Sequence, residues 1–259
     1  MDLHLRGRCA LITGASKGIG AAVAEALAEE GCHLHLAARN TAAMEELAGR
    51  LRDRHQVRVA VHTVDLRDSD GLKRLAESAK EIDILVNNAG DIPSGTLDSI
   101  DEATWRHAWD LKVFGYINLT RLAYARMKAR GGGVIVNIIG AAGERFEANY
   151  IVGSAGNASL MAFTRALGGA SLKDEIRVIG INPGPVATDR IIALTKRRAQ
   201  ALLGDEKRAA EIMQGFPRGR AAHPREIADM AAFLASDRSG YTSGVIVTID
   251  GGICAGSGA

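Results

Sequence analysis

The sequence predicts an α/β fold: one doubly wound parallel sheet of seven strands with helices on both faces. Three observations carry this. Short apolar runs recur from end to end, at Cys9–Thr13, Leu34–Ala38, Val57–Val64, Ile82–Asn87, Val134–Ile139, Ile176–Asn182 and Val245–Asp250. Several are apolar on consecutive positions, the pattern of strands buried on both faces. Helical patterns separate them, and alternation of this kind demands parallel strands joined by right-handed crossovers.

The first strand runs into Thr13-Gly14-Ala15-Ser16-Lys17-Gly18-Ile19-Gly20. A helix follows at once, because Ile19, Ala22, Val23, Ala26 and Leu27 fall on one helical face. Gly31 ends it. The stretch 190–220 breaks the rhythm and reads as an extra helical segment after the sixth strand. No linker, low-complexity tract or repeat divides the chain, so residues 1–259 are expected to form one domain. A length of 259 residues suits a large α/β unit.

Composition excludes several classes. A net charge of +2 is too near balance for nucleic acid or an anionic membrane surface. No apolar run reaches the 18 or so residues of a membrane span. The first residues carry Asp2, Arg6 and Arg8, and their apolar run, Cys9 to Ile12, is too short for a signal peptide. Cys9, Cys32 and Cys254 lack metal-ligand spacing and suggest no disulfide framework, so no metal and a cytoplasmic location are expected.

In doubly wound sheets a ligand lies beyond the carboxyl ends of the strands, where strand order reverses. Glycines between the first strand and first helix permit a tight turn and close approach of backbone to a pyrophosphate. The helix N-terminus adds free N–H groups and partial positive charge. The plainer alternative is a glycine-rich turn with no ligand. NAD-binding chains place an acidic residue about 20 positions further on. Here Ala38 holds that position, Arg39 follows it, and Lys17 lies in the loop. A guanidinium can grip a 2′-phosphate bidentately and Lys adds a point charge, which favours NADP(H) over NAD(H). Two solvated surface cations are the alternative.

The spacing Gly14-x-x-x-Gly18-x-Gly20, with Asn87-Asn88-Ala89-Gly90 after the fourth strand, resembles the classical short-chain dehydrogenase/reductase family. So do Asp65, Pro183-Gly184-Pro185-Val186-Ala187-Thr188, Pro224-Arg225-Glu226-Ile227-Ala228, Phe233-Leu234-Ala235-Ser236-Asp237 and Asp250-Gly251-Gly252. The match spans essentially the whole chain. It implies a Rossmann-type domain whose cofactor contacts are Gly14, Ser16, Lys17, Gly18, Ile19, Gly20, Arg39, Asp65 and Leu66. Asn87, Ala89, Gly90, Pro183, Gly184, Val186 and Thr188 complete that set. The resemblance also implies a lid over about 190–220. It further implies a homotetramer, built through the helix carrying Trp105, Trp109, Phe114, Ile117, Leu122 and Met127, the helix around Leu160, Phe163 and Leu167, and the C-terminal tail.

The family's chemistry uses an Asn-Ser-Tyr-Lys tetrad. Thr164-Arg165-Ala166-Leu167 and Leu160 fix the register, which places Lys112, Gly140, Gly153 and Asn157 at those four positions. No residue at them can serve as the usual proton donor, so the catalytic residues are unknown. Tyr150, with Ser154 four residues on, is a weak substitute; the favoured alternative is a boundary aromatic just before the helix. Helical side chains lean toward the N-terminus, so it is expected to point away from the vacated site. Lys112 could bring an ammonium near the lost lysine; otherwise it is a cation on a partly buried helix, paired with Asp110 or Glu144. Glu144, Arg145 and Asn149 are expected on the pocket rim, as ligand contacts or as plain loop polars. Glycines at 140 and 153 leave room either for a bulkier ligand or for the collapse of a neighbouring side chain.

Three functions are open on these residues. One is an NADP-dependent oxidoreductase acting on an unidentified carbonyl or alcohol. Another is a catalytically silent NADP(H)-binding sensor or partner subunit. A non-redox lyase or isomerase is the third, with no residue arguing for it. Lys196, Arg197 and Arg198 on the lid could meet an anionic substrate or form a solvated face. Ile191, Ile192 and Leu194 suggest an apolar inner side to the lid.

Overall fold

A computed structural model describes residues 1–256; residues 257–259, part of the expected domain and its tail, lie outside the described residues. The seven runs pair as β1 (Cys9–Thr13), β2 (His33–Ala38), β3 (Val59–Thr63), β4 (Ile84–Asn87), β5 (Gly133–Ile138), β6 (Ile176–Pro183) and β7 (Ile246–Ile249). All pairings are parallel, in the order β3-β2-β1-β4-β5-β6-β7. Strand ends differ from expectation by one or two residues. The largest difference is at β3, where Val57 joins the core without pairing.

The nine α-helices are α1 (Gly18–Glu29), α2 (Thr41–His55), α3 (Ser69–Ser78), α4 (Glu102–Trp109), α5 (Gly115–Arg130), α6 (Ile151–Ser171), α7 (Asp189–Leu203), α8 (Ala209–Gln214) and α9 (Pro224–Ala235), counted among the described residues. They cover both faces of the sheet. On β1, Ala10 and Ile12 pack into the cluster with α1, α2 and α9, whereas Leu11 packs into the cluster with α3 and α5. On β5, Val134 and Val136 face the first and Ile135 the second. This period of two, apolar on both sides, is why the runs read as continuous.

α4 and α5 are joined by a π-helical turn, Asp110–Phe114, with Lys112 at its centre. Such turns insert one residue into a helix and recur at functional sites. The extra helical segment expected over 190–220 is present as α7 and α8 with short 3₁₀ turns. No helix among the described residues is long and apolar enough to cross a membrane.

Several residues expected at a contact between protomers are instead core. Met127 and Leu160 are 1% and 0% exposed, and Leu122 and Leu167 pack against the α3–α5 side. They serve their own sheet, because the apolar stripe of α5 and α6 is needed to cover it. Exposed apolar residues nearby are Phe114, and Tyr241 and Val245 leading into β7.

Candidate functional site

A cleft of about 1980 Å³ opens over the carboxyl ends of the strands, beside the point where β1 and β4 diverge. Gly14 has φ +65, and a Cβ there would stand 2.9 Å from the Ala89 Cα. A Cβ on Gly20 would stand 2.3 Å from the Gly14 carbonyl oxygen, so α1 is seated directly on the loop. Its N-terminus faces the cleft without a side-chain cap. Ser16, Lys17, Gly18 and Ile19 line this end. The Thr13 hydroxyl accepts the Asn88 and Ala89 N–H groups at 2.9 and 3.2 Å, locking the loop to the segment after β4. Ala89 and Gly90 thereby form the floor. Pro183, Gly184, Val186 and Thr188, after β6, form the opposite wall.

Ala38, Arg39 and Leu66 line the far end. Arg39 is exposed and has no ion-pair partner among the described residues. Lys17 lies 3.2 Å from Asp189, but both side chains are about three-quarters exposed at 74% and 77%, where pairs are weak. Three expected contacts do not line the cleft. Gly20 acts behind the loop. The Asp65 carboxylate is held by Arg67, whose Nε lies 2.9 and 3.1 Å from its two oxygens; this lowers the Asp65 pKa and ties up the acceptor expected for adenine. Asn87 is fully buried, donating to Thr120 Oγ1 at 3.0 Å and Asn137 Oδ1 at 2.9 Å, so its side chain ties β4 to β5 and α5. The cradle without Cβ atoms, the uncapped helix end, two cations and an apolar Ala38 fit a dinucleotide with an additional phosphate.

At the inner end, Lys112, Gly140 and Asn157 line the cleft and Gly153 does not. The reason is Tyr150. Its ring folds over Gly153, where a Cβ would lie 2.0 Å from the tyrosine Cε1. This corrects the expected direction. Tyr150 is the N-cap of α6, with φ −136 and ψ 37, so the lean of helical side chains does not govern it. Its hydroxyl accepts from Arg190 Nη2 at 2.9 Å, and the guanidinium lies 5.4 Å from the ring centroid. Burial raises the Tyr150 pKa, opposed by Arg190. Ser154 is turned away, its hydroxyl accepting the Glu147 N–H at 3.0 Å.

Gly140 has φ +138, and the Asn157 Nδ2 sits 2.8 Å from where its Cβ would be. The Asn157 Oδ1 is buried without a hydrogen-bond partner. Lys112 crosses Gly90, and its Nζ donates to the Ile139 carbonyl at 2.5 Å. The alternative pairing with Asp110 or Glu144 does not form. Glu144 instead accepts from Asn182 and Thr248 at 3.4 and 2.8 Å. Burial, with help from the Arg190 charge, pushes the Lys112 ammonium down to about 7. Of the expected rim residues, Arg145 and Asn149 line the cleft and Glu144 does not; of the lid cations, Arg197 and Arg198 do and Lys196 does not. Ile191, Ile192 and Leu194 line it as expected.

Sequence reasoning missed Arg190. It stands at the start of α7, and its partners, Ile92 O at 2.7 Å and Tyr150, are 98 and 40 residues away, so no local signal marks it. It also missed the side-chain ladder Asn87–Asn137–Thr164, in which Asn137 donates to Thr164 at 2.9 Å.

A family model described as enoyl-(acyl carrier protein) reductase matches residues 14–254. An acetoacetyl-CoA reductase of Allochromatium vinosum is 34% identical, covering 95% of this chain and 98% of that protein. The crystal structure of L-sorbose reductase from Gluconobacter frateurii, complexed with NADPH and L-sorbose, is 34% identical with a TM-score of 0.91, covering 98% of this chain and 99% of that one. A 7α-hydroxysteroid dehydrogenase complexed with NADH and 7-oxoglycochenodeoxycholic acid is 29% identical with a TM-score of 0.86, covering 97% and 96%.

Proposed function

The chain belongs to the classical short-chain dehydrogenase/reductase family, and from that premise we propose that it is a single-domain, cytoplasmic NADP(H)-binding member that lacks the family's proton-transfer tetrad. The observation that carries this reading is the contrast between the two ends of one cleft. The glycine cradle, Lys17 and Arg39 line one end, while Lys112, Gly140 and Asn157 line the inner end and Gly153 lies beneath the Tyr150 ring. Bound nicotinamide would supply hydride exchange with a carbonyl or alcohol carbon. This chain's residues would hold the pyrophosphate at the α1 N-terminus and the 2′-phosphate between Lys17 and Arg39. A small-molecule substrate of undefined identity then meets no tyrosine at position 153.

A second reading, an NADP(H)-binding sensor or partner subunit without turnover, is favoured by one observation. Tyr150 over Gly153 and the Asn157 amide at Gly140 fill the positions where the tetrad's side chains would start. Calorimetric titration with NADPH and NADH, followed by a turnover screen, separates the readings. Tight NADPH binding with turnover supports an oxidoreductase with a different proton donor. Binding without turnover supports the sensor.

NADPH should bind more tightly than NADH. Arg39→Ala should remove about 1.5–3 kcal/mol of that preference, the worth of a charged hydrogen-bonding contact. Equal affinity of the unaltered protein for both nucleotides would refute the assignment.

We expect a homo-oligomer, specifically a tetramer, because family relatives assemble through the α4–α5 and α6 faces and the last strand. Phe114, 48% exposed, and Tyr241, 98% exposed, lie beside those faces. Closed symmetry would bury each such patch against its own copy. Light scattering at micromolar concentration should give four chains per particle; a monomer would rule the assembly out.

A further inference from the structure

We propose that Lys112 is a carbonyl-capturing amine, a lysine that forms an imine with a small aldehyde or ketone entering the cleft, best one carrying a carboxylate. The argument starts from placement. Lys112 projects from the π-helical turn across the bare Cα of Gly90, where a Cβ would meet its Cδ at 2.9 Å. Its nitrogen ends on the cleft wall at the Ile139 carbonyl, 2.5 Å away. The next residue, Gly140, adds no side chain to that wall.

Among the described residues no carboxylate pairs with Lys112, although Asp91 and Glu147 line the same cleft. Asp110, on its own turn, is not paired with it. From α7, Arg190 brings a like charge. From α6 come the Asn157 amide and the Tyr150 phenol, both neutral in that range, with the phenol held by Arg190. An ammonium in such a place gives up its proton easily, and burial with Arg190 brings Lys112 to about 7. A lysine at its ordinary value of about 10.4 is almost wholly protonated at neutral pH. The neutral amine can keep one N–H on Ile139 while its lone pair faces the cleft. Arg190 lines the same cleft and has no carboxylate ion pair among the described residues, which is why an anionic carbonyl compound is favoured.

The step balances without an oxidant or reductant. The nitrogen lone pair adds to the carbonyl carbon and the π pair moves to oxygen, which takes a proton. Water then leaves as the C=N bond forms. One amine and one carbonyl give one imine and one water, and the protonated imine keeps the charge of the ammonium. This goes beyond the nucleotide reading and does not depend on it.

The test uses nucleotide-free, unaltered protein with glyoxylate and cyanoborohydride at pH 7. Cyanoborohydride supplies hydride to trap the imine as a secondary amine, and peptide mass spectrometry locates it. Lys17, on the rim of the same cleft and 74% exposed, is the internal comparison. The expected result is labelling of Lys112 at least about tenfold faster than Lys17, because the free-amine fraction outweighs the lesser access. Equal or slower labelling of Lys112 would overturn the proposal. Since no nucleotide is present, neither outcome bears on NADP(H) binding, which calorimetry decides separately.

Discussion

Reduction of ketones, quinones and aldehydes by NADPH is expected to run about 10²–10⁴-fold slower on this protein than on a relative with the full tetrad, the usual worth of positioned acid–base catalysis. Gly153 has no group to donate a proton. Gly140 has no hydroxyl to orient the substrate oxygen. Tyr150 does not replace the missing phenol by default, because burial raises its pKa and its hydroxyl is engaged by Arg190. The single change Gly153→Tyr should not raise the rate. Its Cβ would overlap the Tyr150 ring, and Asn157 would leave any new phenol near its ordinary pKa of about 10. The structure also speaks against simple reconstitution by Gly140→Ser, Gly153→Tyr, Asn157→Lys and Lys112→Asn together. Position 140 has φ +138, which a serine rarely adopts, and Tyr150 still holds the space at 153. Adding Tyr150→Ala removes the second obstacle but not the first, so weak activity at most is expected. The measurement is NADPH consumption across a substrate panel. Robust turnover that survives both Tyr150→Phe and Lys112→Ala would show that the assigned register is wrong. Turnover abolished by Tyr150→Phe would make the displaced tyrosine the proton donor.

The sheet was legible because each strand carries its own signal. Residues 9–12 and 178–181 are apolar on consecutive positions because both faces are covered, and a strand's burial follows from its own few residues. The glycine loop was legible for the same local reason: a turn that must pass close to other backbone tolerates little else, as Gly14 and Gly20 show. The inner end of the cleft was only half legible. Counting along the chain aligns residues 112, 140, 153 and 157 with the tetrad, but does not say which side chains lie beside them. Tyr150 stands at the helix boundary as the sequence favoured, but its direction follows the N-cap backbone and not the lean of helical side chains. Likewise, the π-turn at Lys112 leaves no periodic trace that distinguishes it from an unbroken helix. The Asp65 partner, Arg67, is set by the turn geometry after β3 and left no signal of its own.

Arg177→Met is expected to destabilise the protein by about 3–5 kcal/mol, since a hydrogen bond from a charged group is worth about 1.5–3 kcal/mol and several are lost together. Arg177 is a charged residue inside β6, 6% exposed amid apolar neighbours. Its Nη1 donates to the Leu234 carbonyl at 2.7 Å and to the Ser239 hydroxyl at 2.9 Å, and its Nη2 donates to the Ser236 carbonyl at 2.9 Å. These acceptors close the C-terminal end of α9, where a cation also complements the helix dipole. Burial works against the charge and lowers the Arg177 pKa, yet a guanidinium stays protonated at any ordinary pH. Methionine matches much of the side chain's length but offers no donor, so the Leu234 carbonyl keeps only the Ser239 hydroxyl at 2.9 Å and the Ser236 carbonyl keeps Ser239 alone, through its N–H at 3.2 Å and its hydroxyl at 3.1 Å. The midpoint of thermal unfolding should fall by roughly 10 °C, at about 2–4 °C per kcal/mol for a domain of this size. Arg177→Lys, which keeps one cation and fewer directed donors, should fall between. Because Arg177 does not line the cleft, NADPH affinity measured well below the transition should be unchanged in Arg177→Met. A shift of only a degree or two would mean that the Ser239 donors alone satisfy those carbonyls. A fall in NADPH affinity without a fall in melting temperature would contradict a purely structural role for the residue.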